Sequence, residues 1–373
     1  MQTEQKTGAT GERQKLFEAF FALRQHRLNE AESWLQKIKV RKLGQISGFH
    51  YYALRGELEI KQKAENAQKT LLEALERAKD CPKIEPKLVE KVWYMLGSTY
   101  YRKGFYSEAY QIHRRLLYKL GGGVLASSNV GQLKLYNSLG MELVNLGRYQ
   151  SALDHFRRGM LLHQATNDPV EEAKAYLGRA ICYKHLDKPT YGLIYARQGL
   201  ELLAESKDYG LAVGLHNQMA RLLLSVGNTR EAELEEHQAI EYAAKVGNPT
   251  WLAITYSGLA QVYAAQSKLE MAREANATSE AISAGRESIF LNYNKAQYAM
   301  ILNQQGCYLE ADLIFQQVFY QLEKSGNVDK SGLVASIYYL YGQTLNGRGS
   351  HQQAVQAFKQ ALEIKQTNLA KIA

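Results

Sequence analysis

A chain of 373 residues with 46% apolar side chains can bury extensive surface, and five prolines against many Ala, Leu, Gln and Glu mark a helix-rich composition. The formal charge is +9, yet no run of five Lys/Arg occurs, which argues against a basic nucleic-acid tail. Cys81, Cys182 and Cys307 stand far apart without CxxC spacing, and no stretch approaches the ~18 apolar residues of a membrane span. Neither a disulfide framework, a zinc site nor a spanning helix is therefore expected, and a reducing cytoplasm is the expected location.

In chain order, residues 1–11 are polar, lack the apolar stretch of a signal peptide and read as a flexible tail. Residues 12–80 read as two degenerate helical hairpins. The first carries Ala19, Leu28, Ala31 and Leu35, the second Gly56, Ala67, Leu71 and Ala74. Asp80-Cys81-Pro82 breaks the pattern and Pro86 opens the next helix. From 81 to 373 seven more regular units follow. One shows Trp93, Leu96, Gly97, Tyr100, Gly104, Tyr106, Ala109, His113 and Leu116. The next shows Tyr136, Leu139, Gly140, Leu143, Gly147, Tyr149, Ala152, Phe156 and Gly159 at matching offsets, and the last Tyr338, Tyr341, Gly342, Leu345, Gly349, His351, Ala354, Phe358 and Ala361. Gly121-Gly122-Gly123 reads as a loop without the Lys-Ser/Thr of a phosphate cradle.

Two rulers set the period. A small residue on the first helix of each unit recurs at Gly56, Gly97, Gly140, Ala180, Ala220, Ala260, Ala299 and Gly342, about every 40 residues. Helix-start signals at Asp168-Pro169, Asp208, Asn248-Pro249 and Asn327 agree, because Asp and Asn accept orphan N–H groups and Pro fits a first turn. Large residues on helix A fill the space between helices, and the small residue lets helix B come close. This spacing resembles the tetratricopeptide repeat. The expected fold is all-α, a right-handed superhelical solenoid of about nine hairpins. A solenoid end needs a polar cap; the last helix either caps itself or is covered by a second copy, as in a homodimer.

The resemblance implies that particular places of each helix A face a concave groove. Those places carry Lys91, Lys134 and Lys174; Tyr94, Asn137 and Asn217; Arg221 and Gln261; and Asn145 and His185. The set is rich in amides and cations and poor in acids. Amides can clamp an extended peptide backbone, and cations can meet a carboxylate. These ten residues are the candidate peptide-binding set. Arg179, where other repeats place Leu or Met, either passes along the core surface or adds a second carboxylate clamp.

A period near 40 resembles the bacterial peptide-sensing regulators of the RRNPP group and also long-repeat scaffolds for extended peptides. The resemblance implies a non-enzymatic module without cofactor or metal, binding a peptide or an extended, acidic partner segment. The alternatives are a phosphatase-type regulator of response regulators acting through residues 12–80, and a passive scaffold. Residues 12–80 show no DNA-recognition helix pattern.

Overall fold

The computed structural model describes residues 2–119, 129–163, 168–206, 208–285, 289–325 and 332–370. Among these, eighteen α-helices and one short 3₁₀ turn at Val40–Lys42 form the fold, without a strand. The helices are α1 (Gln2–Arg24), α2 (Leu28–Gln36), α3 (Gln45–Lys61), α4 (Ala67–Ala78), α5 (Pro86–Arg102), α6 (Tyr106–Lys119), α7 (Asn129–Asn145), α8 (Tyr149–His163) and α9 (Pro169–His185). Then come α10 (Pro189–Leu203), α11 (Tyr209–Ser225), α12 (Thr229–Val246), α13 (Pro249–Ala265), α14 (Leu269–Ser283), α15 (Ile289–Gln304), α16 (Tyr308–Ser325), α17 (Gly332–Gly347) and α18 (His351–Ala370). Paired in order, they make the nine hairpins that the repeat predicts. Residues 2–11, expected as a tail, are instead the first turns of α1. Their Gln, Glu, Lys and Ala residues are good helix formers, and they extend a helix whose later turns are packed.

Every hairpin turns in the same way. One residue takes a left-handed conformation in each: His26, Lys63, Gly104, Gly147, Asp187, Gly227, Ser267, Gly306 and Gly349. The N–H of the next residue reaches back five positions, as in Phe105 to Tyr100, Arg148 to Leu143, Lys188 to Tyr183 and Lys268 to Tyr263. This Schellman arrangement satisfies carbonyls that a helix end would leave open. Between hairpins, Asp168, Asp208 and Asn248 accept the N–H of Glu171, Leu211 and Thr250 at 3.1, 3.0 and 2.9 Å. The Asn327 signal and the Gly121–Gly123 loop lie outside the described residues.

The small residues do what their spacing predicts. A Cβ at Gly140 would lie 2.5 Å from the Phe156 ring, and one at Gly342 would lie 2.6 Å from that of Phe358. Gly178, on the helix A that follows, is equally crowded by Phe156. The aromatic ring of helix B is thus wedged between two successive A helices that approach closely. At Gly97 the wedge is the ring of His113, a buried histidine whose Nε2 meets the Tyr94 carbonyl at 3.1 Å.

Contacts divide the chain into two compact units, residues 1–131 and 132–373, the division falling in the first turn of α7. The sequence had suggested residue 80. Apolar clusters are local in both units: one joins α1, α2 and α3, another α3, α4 and α5, and a third the hairpins from α13 to α18. That distribution is expected when each repeat contacts mainly its neighbours. Cys182 is buried, while Cys81 and Cys307 are half-buried.

Candidate functional site

The ten candidate residues are divided between the two compact units. Lys91 and Tyr94 belong to the N-terminal unit. There the Lys91 ammonium donates to Glu57 at 2.8 Å, and the Tyr94 ring lies 5.0 Å from that of His113. The other eight belong to the C-terminal unit.

In the C-terminal unit, most of the amides expected to clamp a ligand bind the array's own backbone. Asn137 donates to the Glu171 carbonyl at 2.8 Å and to the Glu171 carboxylate at 3.2 Å. Asn145 donates to Met141 O at 2.8 Å, and Gln261 to Ser257 O and Asn294 O at 3.3 and 3.2 Å. Lys174 donates to Glu171 at 2.7 Å, and Lys134 is half-buried. The bonds of Asn137 to Glu171 and of Gln261 to Asn294 run from one A helix to the next and hold the stack together, while the others stay within one helix.

Asn217 differs. It is 3% exposed, and neither its Oδ1 nor its Nδ2 has a hydrogen-bond partner. Nearby in the sequence, Arg221 donates to Asn294 Oδ1 at 2.9 Å but keeps a buried, unpartnered Nε. The Asn137 Oδ1 and the Gln297 Oε1 are also buried and unpartnered. Buried polar atoms without partners each cost about 1–3 kcal/mol, so several on one inner face form a deficit that a ligand bearing amides would relieve.

Two residues of this region lay outside the candidate set. Asn294 sits at the third place of its repeat, which the family pattern does not turn toward the groove, yet it accepts from Arg221 and donates to Ile254 O at 3.2 Å. Glu236 stands where sister repeats have Phe156 and Phe358; it is 1% exposed and fills the space beside Gly258. Burial pushes its carboxyl well above the usual range, the Arg221 charge opposes this, and Glu235 adds to it. An acid in the aromatic place is the sequence signal of its position. The inner region is therefore less free of acids than the A-helix places alone suggest.

The C-terminal unit closes on itself at its two ends. The ring of His185 stacks on Tyr149 with centroids 4.4 Å apart, and that of Tyr293 lies 6.3 Å away on α15. The Lys184 ammonium meets the Tyr293 hydroxyl at 3.5 Å, and the Tyr149 hydroxyl bonds Ser336 on α17. A Cβ at Gly332 would strike the backbone of Asn145 and Gly147. First, second, fifth and sixth hairpins of the unit thus meet. Burial, with the charges of Lys184, Arg221 and Lys365, drops the His185 pKa to about 3. Arg179 reaches no groove: its guanidinium lies 3.8 Å above the Tyr195 ring and donates to that hydroxyl at 2.6 Å.

Family models described as tetratricopeptide repeat match residues 133–169 and 290–367. Those two segments carry tetratricopeptide repeats. Solved structures share the repeat fold over almost the whole length. A Rap protein complexed with competence and sporulation factor is 12% identical with a TM-score of 0.72, covering 97% of this chain and 99% of that one. The apo quorum sensor NprR from B. thuringiensis is 13% identical with a TM-score of 0.63, covering 94% and 98%. Aspartyl phosphate phosphatase F from Bacillus subtilis is 14% identical with a TM-score of 0.57, covering 96% and 94%. No curated protein matches this chain in sequence. No described helix is long and apolar enough to cross a membrane.

Proposed function

We propose that the chain is a non-enzymatic regulator whose C-terminal unit binds an extended peptide along its inner face. The observation that carries this reading is Asn217, a buried amide with both polar atoms unpartnered. An Asn in that state pairs best with a peptide bond, which offers one donor and one acceptor. The Asn137 Oδ1 and Gln297 Oε1 extend the same demand along the face. The similar solved proteins support it by kind: one holds competence and sporulation factor, and another is a quorum sensor.

Arg221, with an unpartnered Nε, favours a peptide that brings a carboxylate to it. Ligand binding that satisfies these groups stabilises the closed unit over any opened form, and so alters the surface offered to a second partner. Titration of a short-peptide library against the unaltered chain and Asn217→Ala tests the reading. Peptides that bind the wild type should lose about tenfold or more in affinity, equivalent to about 1.4 kcal/mol. Equal binding by both proteins excludes the assignment.

A further inference from the structure

The N-terminal unit contains a second concave face that the peptide reading does not use. Helices α1, α3 and α5 border a cavity of about 510 Å³. On α1 the stripe is Arg13, Phe17, Phe20 and Arg24, spaced four, three and four residues apart, so it lies on one helix face. Phe17 is 55% and Phe20 41% exposed, and Ile46 on α3 is also exposed. Leu54 and Met95 continue the apolar floor. Large apolar side chains clustered at an open cavity mark an interaction site rather than scattered surface residues.

The rim has a definite charge. Arg13, Arg24 and Lys91 border the cavity against a single carboxylate, Glu57. Arg24 and Lys91 both donate to Glu57 Oε2, at 2.9 and 2.8 Å, so one acid is shared by two cations. Arg13 is exposed at the opposite end of the α1 stripe. Rim charge is therefore net positive around an apolar floor. Ser47 and His50 interrupt that floor with polar atoms, and burial holds the His50 pKa below its ordinary value, so it contributes a neutral donor and acceptor. A bare hydrocarbon chain has no use for such groups, whereas a polypeptide does.

We infer that this face docks an amphipathic helix of a partner protein, its apolar side on Phe17, Phe20 and Ile46 and its acidic flanks toward Arg13, Arg24 and Lys91. Apolar anchors spaced i, i+4 and i+7 on the partner match three parallel stripes on α1, α3 and α5. The charged rim selects acidic helices over basic ones and speeds encounter. The residues named here lie in residues 1–131 and those of the peptide reading in residues 132–373, so each can be substituted without touching the other set.

The test uses the full chain and a fluorescein-labelled helical peptide with Leu at i, i+4 and i+7 and Glu along both flanks. Fluorescence anisotropy should give a Kd on the order of micromolar, and a twin peptide with Lys for Glu should bind at least tenfold more weakly. Phe20→Ser and Arg13→Glu should each weaken the Glu peptide about tenfold with the thermal midpoint unchanged. Absence of binding, equal affinity for the Glu and Lys twins, indifference to both substitutions, or displacement by one equivalent of palmitate would each overturn the proposal. The twin-peptide comparison needs only the unaltered protein, so it decides even where a variant is unstable.

Discussion

Tyr149 lies flat on His185, ring centroids 4.4 Å apart and planes 2° from parallel, although the two residues belong to different hairpins. Burial and the neighbouring cations hold the His185 pKa at about 3, so the stacked imidazole is neutral at ordinary pH. The unfolded chain takes up a proton near pH 6.5, while the folded chain does not until about pH 3. Stability therefore falls as pH drops through that window, by about 3 kcal/mol at pH 4.5. Thermal midpoints measured from pH 7.5 to 4.5 should show this slope in the wild type. His185→Phe keeps a ring on Tyr149 and should flatten it; an unchanged slope would remove His185 as its source.

Glu236 has the opposite sign. Its folded pKa is raised, so the unfolded state loses its proton first, and stability falls as pH rises above about 4.5. Glu236→Gln keeps the shape and removes the titration. It should raise the thermal midpoint at pH 8 and leave it nearly unchanged at pH 4. Equal effects at both pH values would show that size, not ionisation, governs the position.

Asn217 sets binding against stability. Replacing an unpartnered buried amide by Leu removes a desolvation cost of about 1–3 kcal/mol. Asn217→Leu should therefore unfold at higher temperature than the wild type while losing peptide affinity. A lower midpoint together with retained affinity would contradict both halves.

Gly332 sits against the Asn145 and Gly147 backbone, where no side chain fits. Gly332→Val should separate the ends of the C-terminal unit. Spin labels at exposed Gln150 and Tyr339 should report a longer and broader distance by pulsed electron resonance. An unchanged distance distribution would show that the closure does not depend on this contact.

Much of this molecule is written in local spacing. The nine hairpins and the ~40-residue period follow from Gly97, Gly140 and Gly342 and their partners His113, Phe156 and Phe358, each pair only sixteen residues apart. The amides of the A helices stand out in the sequence as a class, because repeat position fixes which side of a helix they occupy. Their partners were not. Arg221 finds Asn294 and Tyr149 finds Ser336 only through the curvature accumulated over several repeats. Spacing within one repeat carries no record of that curvature. The Phe17–Phe20 face escaped because it lies across three helices whose individual patterns are weak.

Lys63 holds a left-handed conformation at φ 58°, where glycine serves in five of the other turns. Lys63→Gly removes about 1–2 kcal/mol of strain, less about 0.4–1 kcal/mol for greater freedom in the unfolded chain. A net gain of about 0.5–1 kcal/mol is expected. Gly227→Ala, at φ 78° with open space around it, should lose a similar amount. Urea midpoints check both; a loss for Lys63→Gly would mean that its side chain makes a contact outweighing the strain.

That repeated turn also makes the array length-adjustable. Because Arg148, Lys188 and Lys268 close their hairpins with the same backward bond, the cut ends left by removing one whole period are interchangeable. Hairpins that carry none of the closing contacts of the C-terminal unit can thus be added or removed without redesigning a junction, while a fractional change inside a hairpin would put that hairpin's wedge ring out of step with its glycine.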